Sequence, residues 1–283
     1  VSRLSRTRLA RRLYLAAPAW SLVVALLVLV TTALLVAAPR ASAAAAGAEL
    51  RQAIADVRGA ERDLVAVAAG GFHPSSGSAP GLDPAAAAEF GALDEQLTAF
   101  ADSADPALRE RLGAVDYAVR SGMLAAPPAT ARPGVPISNV RIGFDPRILD
   151  RVEIVEGAAP AAADGSTTDD AVTGAPLADI EVMMSVASAA RVEWAVGEAR
   201  VVREIQARLR LTGIFEAVDP DAIVWQHIPS VLQPEVFDDG NAAARSLGTV
   251  YVAPGTLSTY PDLVGGASRL TVWFAFNATG LTL

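Results

Sequence analysis

A long apolar segment near the N-terminus constrains this chain more than any other feature. It begins at Ser21 and reads SLVVALLVLVTTALLVAAPRASA. From Trp20 to Ala38 the polar residues are one serine and two threonines, whose hydroxyls can bond to the carbonyls of their own helix. At about 1.5 Å per helical residue this stretch spans roughly 28 Å, close to the ~30 Å hydrocarbon core of a bilayer. We therefore predict a transmembrane helix over residues 20–38, ended by the Pro39–Arg40 pair.

The residues that flank this helix predict its orientation. Residues 1–39 contain five arginines and no acid, and an excess of basic residues marks the cytoplasmic side of a membrane helix. We therefore expect residues 1–19 in the cytoplasm and the main domain outside the plasma membrane. The topology-determining residues are Arg3, Arg6, Arg8, Arg11 and Arg12. The side chains predicted to anchor the helix in lipid are Trp20, Leu22, Leu26, Leu29, Leu34 and Leu35.

A cleaved signal peptide is the alternative interpretation of the same segment. Ala41–Ala43 spells the A-x-A pattern of a cleavage site, and Arg11–Leu15, RRLYL, resembles a twin-arginine signal. However, the apolar run exceeds the roughly 7–15 residues of a signal peptide's hydrophobic region. We favour a retained helix, and both interpretations place the body of the chain outside the cytoplasm.

Composition excludes several classes of function. The chain has no cysteine, which excludes disulfides, thiol nucleophiles and cysteine-based zinc sites. It also has no lysine, and this absence excludes a Walker A loop and a Schiff-base lysine, since both need that residue. Eighteen of the 23 arginines follow residue 39, together with all 31 acids, and such an acidic body repels nucleic acid. No nucleophile or dinucleotide motif is present, so we expect neither enzymatic activity nor a cofactor or metal.

The two histidines do not change this expectation. His73 lies in a stretch rich in glycine, proline and serine, GGFHPSSGSAPG, where a histidine is usually solvated. His227 follows an Asp-Pro turn, and we expect it to pack or to lie at the surface.

Patterns in the remaining sequence predict an α+β fold. Residues 39–62 are predicted to form a helical stalk, and residues 63–283 an extracytoplasmic domain whose first strand, Asp63–Ala69, is buried. Asp83-Pro84 and Asp105-Pro106 are helix-start signals. The second half alternates apolar and polar residues, as half-buried strands do.

Three loop segments complete the predicted organisation. The proline-rich segment 125–136 is a connector and a candidate boundary between two subdomains. The low-complexity segment 158–176 is expected to be a mobile loop. Asp239-Gly240 is expected to form a turn.

Several of these pieces, in this order, resemble a known pattern. They are the arginine-rich start, the first apolar helix, LRQAIADVRGAERDLVAV from Leu50, DRVEIVEGAAPA from Asp150, VASAARVEWAVGEARVV from Val186 and RLRLTGIFEAVDPDAIVW from Arg208. As a set they are similar to the N-terminal part of actinobacterial FtsX-like, MacB-type ABC transporter permeases. Two departures stand out: Ala-Ala-Pro follows Gly157 in place of the family's Arg-Trp-Pro-like turn, and the sequence stops at Leu283 before further membrane helices.

The resemblance implies a permease subunit with a MacB-like extracytoplasmic core. The implied partners are the membrane, a separate cytoplasmic ABC ATPase, and the remaining permease helices or a second permease copy. Gly157, Gly197 and Gly213 are then structural turn positions rather than active-site residues. The alternative function is a secreted or singly anchored extracytoplasmic binding protein.

Overall fold

The computed structural model describes residues 18–70, 72–128, 137–238, 244–264 and 267–278. The chain forms two units, one containing residues 1–56 and 278–283 and the other containing Val57–Asn277. Each unit is described by itself. The five N-terminal arginines, the Asp239-Gly240 turn and residues 129–136 of the predicted connector lie outside the described residues.

The first unit consists of one long helix, α1, Pro18–Asp56. Pro39 lies inside this helix, so the prediction that Pro39–Arg40 ends it was wrong. A proline removes one backbone hydrogen bond, but the flanking turns of alanine and leucine keep a high helix propensity. The predicted transmembrane segment and most of the predicted stalk are therefore one continuous helix, about 58 Å long at 1.5 Å per residue.

The second unit is an α+β domain, as the sequence predicts. Its described strands are β1 Leu64–Ala69, β2 Leu112–Arg120, β3 Leu124–Ala125, β4 Ile137–Phe144, β5 Val152–Gly157, β6 Thr167–Asp169, β7 Pro176–Ser185, β8 Ala199–Val202, β9 Ala207–Ala217, β10 Glu235–Phe237, β11 Arg245–Tyr251 and β12 Arg269–Phe276. Its helices are α2 Gly59–Arg62, α3 Pro84–Ser103, α4 Pro106–Arg109, α5 Ile148–Arg151, α6 Val186–Val192, α7 Val224–His227 and α8 Thr256–Thr259, with 3₁₀ turns at Arg203–Ile205 and Pro261–Leu263.

All twelve described strands belong to one mixed sheet. Its main path runs β1-β12-β2-β4-β11-β7-β9-β5. The pairs β4–β11 and β7–β9 are parallel, and the other pairs are antiparallel. Strands from before and after segment 125–136 alternate along this path, with β12 lying between β1 and β2. The segment is therefore not a boundary between two subdomains, and its first residue belongs to β3.

Local sequence signals explain where the helices of the domain begin. The Asp83 carboxylate accepts hydrogen bonds from the backbone N–H groups of Ala85 and Ala86, both at 2.9 Å, and caps α3. Asp105 caps α4 in the same way through Ala107. Helix α4 ends at Arg109, and Leu112 already pairs with β12.

The core has two parts that use alternate residues of the same strands. Tyr117 and Val119 of β2 belong to the larger part together with Phe90 of α3. Ala118 belongs to the smaller part, with Tyr251 and Trp273 among its other members. Since successive side chains of a strand point to opposite faces, the two parts lie on opposite faces of the sheet.

Two expectations about the domain were wrong. Strand β1 was expected to be buried, but four of its alanine and valine positions and Leu64 are exposed, because β1 is an edge strand paired with β12 alone. Segment 158–176 was expected to be a mobile loop, but it contains β6, which pairs with β7 from Thr167 to Asp169. Low-complexity composition did not reveal this pairing.

Candidate membrane anchor and domain base

Helix α1 is apolar on every side over the predicted membrane segment. The side chains predicted to anchor it are all exposed in the chain, by 74% at Trp20, 69% at Leu22, 57% at Leu26, 66% at Leu29, 61% at Leu34 and 71% at Leu35. Among the described residues this is the one helix long and apolar enough to cross a membrane. A helix that is apolar all round is normally buried in a protein core or in lipid, and within the described residues none of the apolar window of this helix is buried.

The two threonine hydroxyls of the apolar segment are satisfied within the helix. The hydroxyl of Thr31 donates to the carbonyl of Leu27, and that of Thr32 donates to the carbonyl of Val28, both at 2.7 Å. Such internal bonds are what the hydrocarbon region requires of a spanning segment. The cleavage-like triplet Ala41–Ala43 lies within the same continuous helix.

The domain base is the second candidate region. We define it as residues Gly59–Asp63, Gln226–His227 and Trp273–Asn277. Strand β1 pairs antiparallel with β12, so that Leu64 lies opposite Phe274. The segment that enters the domain and the segment that leaves it therefore lie side by side.

Asp63 joins the three segments of the base. Its Oδ1 accepts a hydrogen bond from the backbone N–H of Phe276 at 3.1 Å, and its Oδ2 lies 3.0 Å from Nε2 of His227. Arg62 Nε donates to Oδ1 at 3.2 Å. The Asp63 side chain is fully buried, so these partners replace the water that a carboxylate would otherwise bind.

The surroundings of Asp63 favour its ionised form. Burial raises the pKa of this carboxyl, but the hydrogen bonds from His227, from the Phe276 N–H and from Arg62 outweigh burial and leave the pKa below its usual value. Because an ionised carboxylate only accepts hydrogen bonds, Nε2 of His227 carries the proton and donates it. Asp63 is thus a negatively charged acceptor for both ends of the domain.

His227 packs inside the base, which is one of the two positions, packed or at the surface, that we expected from the sequence. Its side chain is buried, and its ring stacks on Trp273 with centroids 4.8 Å apart and an interplanar angle of 17°. His73, in contrast, is exposed in its loop. Neither histidine belongs to a metal cluster, since the described residues contain no group of three or more His, Asp or Glu side chains that could hold a metal ion.

Helix α2 is held closely against α7. The backbone N–H of Gly59 donates to the side-chain carbonyl of Gln226 at 2.7 Å. A Cβ on Gly59 would lie 2.2 Å from Cγ2 of Ile223, so only glycine permits this approach. At the other end of the base, the N–H of Asn277 donates to the carbonyl of Arg111 at 2.8 Å. Both segments are therefore tied to the body of the domain.

The three glycines predicted at structural turns have different roles. Gly157 and Gly197 have φ values of 76° and 87°, in the left-handed region that favours glycine. Gly213 lies inside β9 rather than at a turn. A Cβ there would lie 2.4 Å from the carbonyl oxygen of Ala158, so Gly213 permits a close backbone approach.

Sequence patterns did not reveal a second buried charge cluster. Asp145, fully buried, accepts a hydrogen bond from Nη1 of Arg151 at 2.6 Å, and Arg151 also contacts Asp116. Burial raises the pKa of Asp145 to about 6, although Arg151 acts in the opposite direction. The nearby Arg147 pairs with Asp94 at 3.2 Å. Asp94 lies on α3, Asp116 on β2, and the other three residues between the end of β4 and the end of α5, so no single local motif marks the cluster.

Comparisons with known proteins add one weak likeness. No protein-family model and no curated protein matches the chain. One similar solved structure is described as "a domain of a putative Permease protein from Porphyromonas gingivalis", with 13% identity over 77% of this chain and 76% of that one, and a TM-score of 0.31. At this identity and TM-score the likeness carries no conclusion about function.

Proposed function

We propose that the chain is the N-terminal part of an ABC transporter permease, in which α1 spans the membrane and the α+β domain works outside it. A separate cytoplasmic ATPase would drive the movement, and the chain itself would carry out no chemistry. The domain would push on or capture cargo, in export or in the handling of lipid and cell-envelope material. The observation that carries the proposal is the adjacency of the two ends of the domain.

A domain inserted between two membrane helices must return the chain to the point at which it entered. Here β1 and β12 are neighbours, and Asp63, just before β1, binds the N–H of Phe276 at the end of β12. This adjacency supports an insertion of the domain between two spans. The exposed, wholly apolar α1 supports the first of these spans.

The continuity of α1 supports mechanical coupling. About 28 Å of the helix suffices for the bilayer, which leaves residues 39–56, about 27 Å long, as a stalk. A continuous helix transmits tilt or rotation better than a flexible tether. The same continuity supports retention over cleavage, because proteases bind their substrates in extended conformations and Ala41–Ala43 is helical.

The first experiment tests the partner. The full-length chain, tagged at its C-terminus, is purified in mild detergent from its native membranes, and co-purifying proteins are identified by mass spectrometry. We expect the intact arginine-rich N-terminus and an ATP-binding subunit. A soluble product that begins near Ala44 and lacks an ATPase would instead favour the alternative, a released binding protein, which the Ala41–Ala43 pattern would explain.

The second experiment tests the stalk. Because the chain lacks cysteine, a single Glu95→Cys variant carries one fluorescent label on the exposed surface of α3. In nanodiscs with the co-purified ATPase, we expect ATP to change the fluorescence. A Gly-Gly insertion after Ala46 should abolish this change while ATP hydrolysis persists, because two glycines cost about 2 kcal/mol of helix stability relative to two alanines.

An Ala-Ala insertion at the same point is the matched control. Both insertions rotate the helix by about 200° and lengthen it by about 3 Å, but the alanines keep it stiff. A fluorescence response preserved equally in both variants would show that stiffness is irrelevant, and would contradict the proposed role of the stalk.

A further inference from the structure

Two arginines lie next to each other on one face of the sheet, in a row that also contains a glycine and a tyrosine. The β-sheet register pairs Arg269 with Arg120, Arg120 with Gly143, and Gly143 with Tyr251. Residues paired directly across strands point to the same face. Tyr251 belongs to the smaller part of the core, so this row lies on that face.

Gly143 makes room in the middle of the row. A Cβ at this position would lie 2.8 Å from the Tyr251 ring. The Tyr251 ring occupies the space that a side chain at this position would fill, so Gly143 adds no side chain of its own to the row. Arg141, two residues earlier on β4, points to the same face and completes a group of three arginines.

These three arginines line one pocket. Its volume is about 270 Å³, and its other lining residues include Met123, Pro229 and Glu235. Glu235 is the one acidic residue of the lining and lies 3.7 Å from Arg141. In the part of the chain that the structure describes, Arg120 and Arg269 have no carboxylate within ion-pair distance. The pocket therefore carries an excess of positive charge.

Arg120 is the strongest indication of a missing ligand. It is 7% exposed, and its Nη1 donates to the carbonyl of Pro229 at 3.1 Å. Its Nε is buried without a hydrogen-bond partner. Burial and the neighbouring Arg141 and Arg269 charges lower the pKa of Arg120. A buried guanidinium without an anion is costly, and an anion in the pocket would remove this cost.

We propose that this arginine pocket, formed by Arg120, Arg141 and Arg269, binds a phosphate group. Guanidinium groups match phosphate oxygens through paired N–H donors, and three of them offset the charge of a phosphate. The volume suits a phosphate or a small phosphomonoester headgroup. With three arginines and Glu235, the lining has a formal charge of 3 − 1 = +2, which matches the charge of a phosphate dianion. This inference does not depend on the transport proposal.

The test uses the full-length chain in detergent at constant ionic strength. Inorganic phosphate and glycerol 3-phosphate are titrated in separate experiments, and binding is followed by isothermal calorimetry. We expect saturable binding with one site per chain. Arg269→Gln, which alters an exposed residue at the start of β12, should weaken binding about tenfold, as expected for loss of a charged hydrogen-bond donor. Arg141→Gln should act similarly.

Arg191→Gln is the matched control, because Arg191 is exposed on α6 outside the pocket. It removes the same charge and should change affinity less than twofold. Tighter binding of glycerol 3-phosphate than of phosphate would identify a headgroup-like ligand, and equal binding would identify free phosphate. Absence of saturable binding by either anion, or equal weakening by Arg191→Gln and Arg269→Gln, would overturn the proposal.

Discussion

Substitution of Asp63 should separate the roles of its charge and of its hydrogen bonds. In Asp63→Ala, the N–H of Phe276 and Nε2 of His227 lose the acceptors that lie 3.1 and 3.0 Å away. A buried polar group left without a partner costs about 1–3 kcal/mol. Two such groups predict a loss of about 3–4 kcal/mol in the free energy of unfolding, which corresponds to a fall of roughly 10 °C in Tm for a domain of this size.

Asp63→Asn should cost less. The asparagine oxygen can still accept from Phe276, and its NH₂ group can donate to His227 if the imidazole proton moves to Nδ1. The free energy of unfolding should then fall by only about 1–2 kcal/mol, because the charge interaction with Arg62 is lost and the remaining hydrogen bonds are neutral and weaker. The ratio of the two losses therefore measures how much of the contribution of Asp63 comes from satisfying buried donors.

The assay is urea unfolding of the full-length chain in detergent, followed by tryptophan fluorescence, since Trp273 stacks on His227. Glu95→Ala, at an exposed position of α3, is the control and should change stability by less than about 0.5 kcal/mol. Equal losses in Asp63→Ala and Asp63→Asn, or a loss below about 1 kcal/mol in Asp63→Ala, would refute the reasoning. Because the Asp63 pKa is lowered, its contribution should be present above pH ~4 and disappear as pH falls through the folded-state pKa.

Three further predictions follow from single positions. Gly197→Ala should lower the free energy of unfolding by about 1 kcal/mol, since φ is positive but the surrounding space is open. Gly157→Ala should lower it at least twice as much, because its Cβ would lie 2.0 Å from the carbonyl oxygen of Thr212. Thermal unfolding of the two variants measures the difference. Asp145 has a raised pKa of about 6. The free energy of unfolding of the native chain, relative to that of Asp145→Asn, should therefore fall by up to about 3 kcal/mol as pH rises from 4 to 7. A difference between the two chains that does not change with pH would contradict this. Leu29→Arg should raise the free energy of membrane insertion by about 2.5–3.5 kcal/mol and so lower the membrane-integrated fraction after carbonate extraction. Leu29→Ala is the control and should leave that fraction unchanged.

The local predictions succeeded where neighbouring residues decide the structure. Asp83 and Asp105 cap the helices that follow them, because a cap needs only a side-chain acceptor and the next few N–H groups. The alternation of apolar and polar residues in the second half predicted strands, and one such stretch, SNVRIGFD from Ser138, lies within β4 and just after it. The order of the strands in the sheet could not be predicted, because it depends on pairings between distant segments.

The candidate regions divide in the same way. The apolar helix that carries the six predicted anchor side chains could be predicted from sequence, because nineteen residues with almost no polar group suit one environment whatever the rest of the chain does. The domain base could not, because Asp63 and His227 are separated by 164 residues. Nor could the arginine pocket, whose residues come from three strands.

The sequence by itself determined the apolar helix, its basic flank and the α+β class, since hydrophobicity and side-chain period act over one element at a time. The tertiary structure alone decided that β12 returns beside β1, that Asp63 binds both ends of the domain, and that Arg120 faces a pocket with Arg141 and Arg269. The physical reason is that sheet pairing brings together residues far apart in sequence. Their burial, charge and missing partners arise only from that proximity.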